Sequence, residues 1–405
     1  MNSETRIVGD TKQTPTSVAA RALGVSEARL AAVSTPLNRP AVAAVGAALA
    51  SVLADDAERM LAGGTAEGAP LWGIAETTDG DRAVPVSAIV LVPAGVIAGH
   101  EVVARIHQAE WEAELEVFTT VEQLIGLRAA FRAWVVETTT SASPFRFGQF
   151  TVEADNKGIK LTRWEAGEVT RDDLLLPGHV WETVDRLVHG SLAMSETLAA
   201  AGLASSAGVL CVGPPGTGKS QLARIVAAEV TGRATVLMAT SWAVQRFMTP
   251  LFRLAGQLAP SVVVIDDLDL VVGSRGAGAE QLHGFLGSMD EVMASREGVV
   301  VLASTNAPGS IDPAAIRASR FDAVIEMKAP GPQGRYRILA RYLAAFPDVD
   351  LGRIVRATDG ATGADLRDLA RRAYLSSLGS VTTEAVLAAV AAGRFSEELT
   401  TGAYL

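Results

Sequence analysis

The sequence predicts an α/β fold in the larger C-terminal part of the chain, preceded by a smaller α+β region. From about residue 170, short apolar runs alternate with helical stretches, and buried strands separated by helices indicate a parallel sheet covered on both faces. After Pro330 the pattern is purely helical. We therefore expect a three-layer parallel sheet followed by a C-terminal helical lid.

Length and composition limit the classes of protein that fit. A chain of 405 residues allows two or three domains, and 49% hydrophobic with 20% charged residues is typical of a globular protein. The longest apolar stretch, Ala41–Ala54, is too short to span a bilayer, and the N-terminus lacks a signal-peptide pattern. A net charge of −10 argues against a nucleic-acid partner. The single cysteine, Cys211, excludes an intrachain disulfide and suits a reducing cytoplasm.

The N-terminal third predicts a tail and then a mixed domain. Residues 1–38 are polar and contain Pro, Thr and Ser, so we expect a mobile tail with a short helix at Ser26–Val33. Residues 40–168 predict the α+β domain, which begins with an Ala-rich helix over Ala41–Leu61. The other elements predicted here are strands at Leu71–Glu76, Val84–Val92 and Glu114–Thr119, a helix or strand at Val102–Glu112, a helix at Val121–Val136, and a hairpin of Phe145–Glu153 with Lys157–Trp164.

The α/β domain is expected over residues 170–330 and the helical lid over residues 331–405. A helix over His179–Met194 leads into the first strand of the domain. The predicted strands are Gly208–Val212, Thr235–Ala239, Val262–Asp266, Val299–Ser304 and Val324–Met327. The predicted lid helices are Gln333–Phe346, Leu351–Ala357, Gly363–Leu378 and Thr382–Ala392.

A glycine-rich loop between the first strand and the next helix carries the strongest chemical signal. Its residues fit G-x-x-x-x-G-K-[ST] and are Gly213, Pro214, Pro215, Gly216, Thr217, Gly218, Lys219 and Ser220, with Gln221 following. Backbone N–H groups of such a loop converge on phosphates at a helix N-terminus. Lys219 would place positive charge on the β- and γ-phosphates of ATP, and the Ser220 hydroxyl would bind Mg²⁺. The alternative is a Gly-rich turn with a surface lysine.

An acidic cluster follows the apolar strand Val262–Asp266. Carboxylates there lie at the C-terminal edge of the sheet, beside the phosphate loop. Asp266 is expected to hold Mg²⁺ and Asp267 to polarise the attacking water. The alternative is a strand that ends in a solvated acidic turn.

Three polar residues further along complete the candidate catalytic set. Asn306 follows another apolar strand, where it would orient the water and sense the γ-phosphate, although an asparagine is common in loops. Arg317 and Arg320 lie three residues apart, so both guanidinium groups can reach one place. Directed at the ATP of a neighbouring subunit, they would act as arginine fingers; the alternative is a surface salt bridge for each.

Jointly, these motifs resemble the AAA family of the AAA+ ATPases. The resemblance covers residues 170–395 and includes Gly363 and Ala364, which it places near the adenosine together with Leu176–Gly178. It implies a phosphate-loop nucleoside triphosphatase fold, a homo-oligomeric ring such as a hexamer, and ATP bound between subunits. By the same resemblance, Asn306 takes the sensor-1 position, and Arg317 and Arg320 take the finger positions.

Three features differ from the usual members of that family. Asp266-Asp267 stands where Asp-Glu is common, as also occurs in the Bcs1-like branch, and the shorter Asp side chain favours slow hydrolysis. The segment from Ala239 to Phe252 is short and lacks the aromatic-hydrophobic-Gly pore loop, with only Trp242 and Phe247 as aromatic residues. The N-terminal region resembles neither the substrate domains of the usual unfoldases nor the membrane-anchored region of the Bcs1-like branch. The acidic motif, the short segment and Ser319-Arg320-Phe321-Asp322 together also resemble bacterial AAA proteins associated with contractile injection systems.

Two functions fit these observations. The first is an ATP-hydrolysing chaperone or motor that remodels or disassembles a protein client recruited by residues 40–168. The alternative is a nucleotide-gated assembly or scaffold factor with slow hydrolysis. The turnover number separates them, since a motor must hydrolyse ATP at an ordinary enzyme rate.

Overall fold

The computed structural model describes residues 13–109, 112–271, 279–294, 297–310 and 320–392. These residues form two compact units. The first unit extends to Trp164 and also contains Gly232–Leu237 and Pro250–Ser261. The second contains Glu165–Thr231 and Met238–Thr249 and continues from Val262.

The first unit is built on a six-stranded sheet with the order β1-β6-β5-β4-β2, in which β3 also pairs with β4. Its elements are α1 (Pro15–Ala22), β1 (Leu30–Pro36), α2 (Arg39–Asp55), β2 (Met60–Gly63), β3 (Leu71–Thr77), β4 (Gly80–Val92), β5 (Val102–Gln108), β6 (Ala113–Thr120), α3 (Leu124–Thr139), β7 (Gln149–Asp155) and β8 (Gly158–Arg163). One core joins α2 and α3 to the sheet, with Leu49, Ile106 and Leu127 fully buried. A second core packs Val18 of α1 against Ile89 and Val103.

The prediction of a mobile tail is wrong for residues 13–38. Thr14 caps α1, and β1 pairs antiparallel with β6 from Leu30 opposite Thr120 to Pro36 opposite Glu114. The predicted helix at Ser26–Val33 is also wrong, because only a 3₁₀ turn precedes β1. A partner strand distant in sequence overrides the local propensity here. Residues 1–12 lie outside the described residues.

Two other segments of the first unit bear on the sequence prediction: the end of α2, which differs from it, and β5, which it left open. Helix α2 ends at Asp55 rather than Leu61, because Asp56 caps a 3₁₀ turn and β2 then pairs with β4. The segment left open between helix and strand is β5, since it pairs on both sides with β4 and β6. The predicted hairpin is confirmed as β7 and β8, with Asp155 opposite Gly158 at the turn.

The second unit contains the α/β core. Its strands run in the order β13-β9-β12-β11, and β9 is parallel to both β12 and β13. Its elements, with β10, α8 and β11 divided between the units, are α4 (Gly178–Val184), a π-helical turn (Asp185–His189), α5 (Gly190–Ala193), α6 (Ser195–Ala200), β9 (Ala207–Val212), α7 (Lys219–Glu229), β10 (Thr235–Ala239), α8 (Ser241–Gln257), β11 (Ser261–Ile265), α9 (Leu268–Val271), α10 (Ala279–Met293), β12 (Val299–Thr305) and β13 (Ala323–Glu326).

Four further described helices complete the second unit. They are α11 (Pro332–Tyr342), α12 (Leu351–Ala357), α13 (Gly363–Ser376) and α14 (Thr383–Ala392). They share a core in which Leu339, Ile354 and Leu366 are fully buried. Across the described part of the chain, no helix combines the length and apolar character needed to cross a bilayer.

Candidate functional site

The loop between β9 and α7 has the geometry of a phosphate cradle. Gly216 adopts a left-handed φ of 79°, and a Cβ there would lie 2.6 Å from Thr362 Oγ1. At Gly213 a Cβ would lie 2.1 Å from the carbonyl oxygen of Met327. These two positions admit only glycine, which lets the backbone approach its neighbours and turn directly into the N-terminus of α7.

Lys219 opens α7 and is only 7% exposed. Its ammonium donates hydrogen bonds to the carbonyl oxygens of Gly213 and Pro214, at 2.7 and 2.8 Å. Burial lowers the pKa of Lys219, while the nearby Asp266 and Asp267 carboxylates oppose that shift. The loop therefore holds a partly desolvated positive charge where the phosphates of a nucleotide would lie.

Asp266, directly after β11, accepts hydrogen bonds on both carboxylate oxygens. Ser220 Oγ donates to Oδ2 at 2.6 Å, and Ser304 Oγ donates to Oδ1. The two predicted Mg²⁺ ligands, Ser220 and Asp266, thus lie within hydrogen-bonding distance of each other. A hydroxyl and a carboxylate fit Mg²⁺, which binds few protein oxygens and keeps several waters.

Asp267 occupies the left-handed region, with φ of 53°. Asn306 Nδ2 donates to its Oδ1 at 2.7 Å, so the two residues predicted to handle water are in direct contact. Burial raises the pKa of Asp267, and the negative charges of Asp266 and Asp269 raise it further. This carboxylate is therefore more basic than an exposed aspartate.

Most of these groups open into one cavity of about 1400 Å³. Of the predicted nucleotide-binding and catalytic residues, those lining it are Pro215, Gly216, Thr217, Gly218, Lys219, Ser220, Gln221, Asp266, Asp267, Asn306, Gly363 and Ala364. Leu176 and Pro177 also line it, whereas Gly213 and Pro214 contribute their carbonyl groups to Lys219.

The N-terminus of α13 lies against the phosphate loop. Ala364 N donates to Gly216 O at 3.2 Å. Thr362 caps α13 through a reciprocal pair of bonds with Asp365, which fixes the start of the helix. The capping pair therefore places Gly363 and Ala364 at the cavity wall.

Of the two predicted finger residues, Arg320 does not line this cavity. Arg317 lies outside the described residues. Arg320 donates to Asp290 Oδ2 at 2.7 Å, and its carbonyl oxygen would lie 2.2 Å from a Cβ on Gly208. Gly208 is at the start of β9 and the phosphate loop is at its end, roughly 16 Å away at 3.3 Å per strand residue.

Two residues of the site were not among the sequence-predicted functional residues. Ser304 bonds Asp266 through its hydroxyl and accepts from Asp267 N at 3.3 Å. Asp269 accepts from Thr305 Oγ1 at 2.7 Å and from Asn306 N at 3.2 Å. The sequence could have indicated both by position, because Ser304 lies in the strand-end motif that contains Asn306 and Asp269 lies in the one that contains Asp266.

Comparison with known proteins agrees with this geometry. Residues 209–329 match the family model described as the ATPase family associated with various cellular activities (AAA). The chain carries an AAA ATPase domain. This domain has the α/β fold of the phosphate-loop nucleoside triphosphatases.

Curated relatives match part of the chain. The ATP-dependent zinc metalloprotease FtsH of Hahella chejuensis is 37% identical over 188 residues, covering 42% of this chain and 30% of that protein. The protein of the same name from Pelobacter propionicus is 41% identical over 186 residues, with the same coverage of both chains. Protein CdcH of Halobacterium salinarum is 32% identical over 245 residues, covering 56% and 32%. The chain thus spans about a third of the length of these relatives.

Proposed function

We propose that this protein hydrolyses ATP as a ring-forming AAA ATPase and uses the energy to remodel or disassemble a protein client. The observation that carries the proposal is the meeting of Lys219, the acidic pair and Asn306 in one cavity beside a helix N-terminus. Such a constellation combines a phosphate cradle with groups that activate water. The C-terminal helices, which contribute Gly363 and Ala364, would act as the lid.

The residues of the cavity divide the task. The α7 N-terminus and Lys219 bind the phosphates, and Lys219 exchanges its two carbonyl partners for phosphate oxygens. Ser220 and Asp266 would hold Mg²⁺, which supplies positive charge to the β- and γ-phosphates when bound. Asp267 accepts a hydrogen bond from the attacking water, and Asn306 orients it.

The position of Arg320 supports the proposed ring. At the far end of β9 from the phosphate loop, Arg320 cannot serve the ATP of its own subunit. In a head-to-tail ring, such as a hexamer, the same surface faces the cavity of the next subunit. Arg320 and Arg317 would then stabilise the charge on the transferred phosphoryl group in trans.

Client recruitment is assigned to the first unit. It has its own buried cores and exposes Trp72 and Ile74 on β3, with Ile74 77% exposed. Exposed apolar side chains on a surface strand are typical of protein contact sites. The acidic chain argues against a nucleic-acid partner, and the buried Cys211 suits the cytoplasm.

A nucleotide-gated assembly factor with slow hydrolysis is the second candidate. The favouring observation is the short Asp267 side chain, which is already bonded to Asn306. In this case ATP binding would drive formation of the ring, and slow hydrolysis would only return it to its starting state.

Steady-state turnover of the purified full chain with ATP and Mg²⁺ tests the proposal. A motor should turn over on the order of 1 s⁻¹, the low end of ordinary enzymes, and accelerate with its client. Client stimulation should be lost in Trp72→Ser/Ile74→Ser while basal turnover stays. Turnover orders of magnitude lower favours the gated factor, and absence of hydrolysis contradicts both the ATPase proposal and its slow variant.

A further inference from the structure

The ends of β11 and β12 are joined by a set of side-chain hydrogen bonds that the proposed reaction does not by itself explain. Ser304 binds Asp266, Asn306 binds Asp267, and Thr305 binds Asp269. The three aspartates that closely follow β11 are thus each paired with one of the three residues at the end of β12. The first two pairs contain groups that face the cavity.

Asp269 differs from the other two carboxylates because it does not line the cavity. Its Oδ1 accepts two hydrogen bonds, from Thr305 Oγ1 at 2.7 Å and from Asn306 N at 3.2 Å. It therefore restrains the backbone of Asn306 and the side chain of the preceding residue. Thr305 Oγ1 in turn accepts from Ala307 N at 3.0 Å, so the turn after β12 is restrained on both sides of Asn306.

We propose that Asp269 is a positioning residue for ATP hydrolysis, which holds Asn306 so that its side-chain amide reaches Asp267 and the attacking water. The inference rests on the proposed ATPase function. Fixing the Asn306 backbone leaves only two side-chain torsions to place its amide. A catalytic group displaced by about 1 Å can lose about 10²-fold in rate, so a small shift of this turn is enough to matter.

The role depends on an acceptor oxygen rather than on a negative charge, because one oxygen of Asp269 takes both bonds. Asp269→Asn keeps an oxygen in the same place and should retain most of the activity. Asp269→Ala removes the acceptor and leaves the Asn306 N–H and the Thr305 hydroxyl without this partner. The pair of variants separates geometry from charge.

The test measures kcat and KM for ATP in the full chain, together with the thermal unfolding midpoint. Asp269→Ala should lower kcat on the order of 10- to 100-fold with KM little changed. Thr305→Val keeps the shape but removes the hydroxyl that donates to Asp269 and accepts from Ala307 N, and it should give a smaller loss of the same kind because the bond from Asn306 N to Asp269 remains. Asp368→Ala, on the exposed side of α13, serves as a carboxylate control that keeps wild-type kcat.

A double-mutant comparison decides whether Asp269 acts through Asn306. If it does, Asp269→Ala/Asn306→Ala should be no slower than Asn306→Ala alone. Losses that multiply, or a normal kcat in Asp269→Ala, overturn the positioning role while leaving the ATPase proposal intact. Absence of turnover in the wild-type chain overturns both.

Discussion

In the proposed mechanism, Asp267 would limit the rate of ATP hydrolysis. Its left-handed backbone suits Asp or Asn better than Glu, and its Oδ1 accepts from Asn306 at 2.7 Å. Asp267→Asn should keep ATP binding and lower turnover by about 10²-fold or more, the usual contribution of a general base.

The longer carboxylate should not rescue or improve the enzyme. In Asp267→Glu, the carboxylate lies one methylene further from the backbone and loses the present hydrogen bond from Asn306 Nδ2. We therefore expect turnover at or below that of the wild type. Single-turnover kinetics with calorimetric ATP binding check both substitutions. Faster turnover by Asp267→Glu than by the wild type would contradict this and show that the site positions a glutamate carboxylate better than an aspartate.

At the residue scale, the sequence predicted the groups but not their pairing. Lys219, Ser220 and Asp266 lie together because strand-end motifs meet at one sheet edge. The roles of Ser304 and Asp269 were missed because they depend on which side chains of two neighbouring strands face each other. That register is fixed by packing of the whole sheet, and residue order alone does not give it.

The phosphate loop has no room for an added methyl group at Gly216. Gly216→Ala adds both left-handed strain of about 1–2 kcal/mol and a clash, since its Cβ would lie 2.6 Å from Thr362 Oγ1. Gly232 has a similar φ of 73° with no heavy atom within 4 Å of its Cβ position. We expect both variants to unfold at lower temperature, but only Gly216→Ala to lose ATP affinity.

Isothermal titration and thermal unfolding of both variants make this comparison. Equal losses of affinity would mean that backbone strain alone, rather than the contact with Thr362, governs the loop.

At the element scale, periodicity predicted most strands and helices, and the misses have a common cause. Strand β1 was predicted as part of a tail because its partner, β6, lies far along the chain. Similarly, α2 was extended past Asp55 because the segment that follows is apolar and becomes β2. Contacts distant in sequence decided the structure in both places.

At the scale of the whole molecule, the two compact units do not follow the chain order. The first unit includes Gly232–Leu237, where Val236 N donates to Gly148 O at 2.8 Å and Thr235 Oγ1 accepts from Phe147 N at 2.8 Å. A chain that begins at Glu165 lacks these partners. It should therefore unfold at lower temperature than the full chain and aggregate more readily, as calorimetry and light scattering can measure.

The matched comparison for this truncation is Trp72→Ser/Ile74→Ser, which alters the first unit only at its surface. That variant should keep the unfolding midpoint of the wild type. A truncated chain that melts as high as the full protein would show that the second unit folds without the first.

Shared active sites should be visible when inactive subunits are mixed. Lys219→Ala removes the phosphate-binding charge, and Arg320→Ala removes the proposed finger. In an equal mixture of the two, about a quarter of the interfaces in a head-to-tail ring are intact, so turnover should recover to about that fraction. No recovery, with mixed oligomers demonstrated by mass photometry, contradicts a site shared between subunits.

The control for Arg320→Ala is Asp290→Ala, which keeps Arg320 but breaks its ion pair. The turnover lost in Asp290→Ala measures how much of the loss in Arg320→Ala is due to that pair.

Strand β9 has a consequence for the timing of the proposed ring. The phosphate loop follows its last residue, and the backbone of Arg320 presses on Gly208 near its first, with no room for a methyl group between them. In the proposed ring, the two ends of this strand, which is paired with β12 on one side and β13 on the other, would lie at two successive ATP sites. A shift of the phosphate loop on nucleotide binding would then reach the neighbouring site through a strand of only six residues, which would couple the timing of hydrolysis in adjacent subunits.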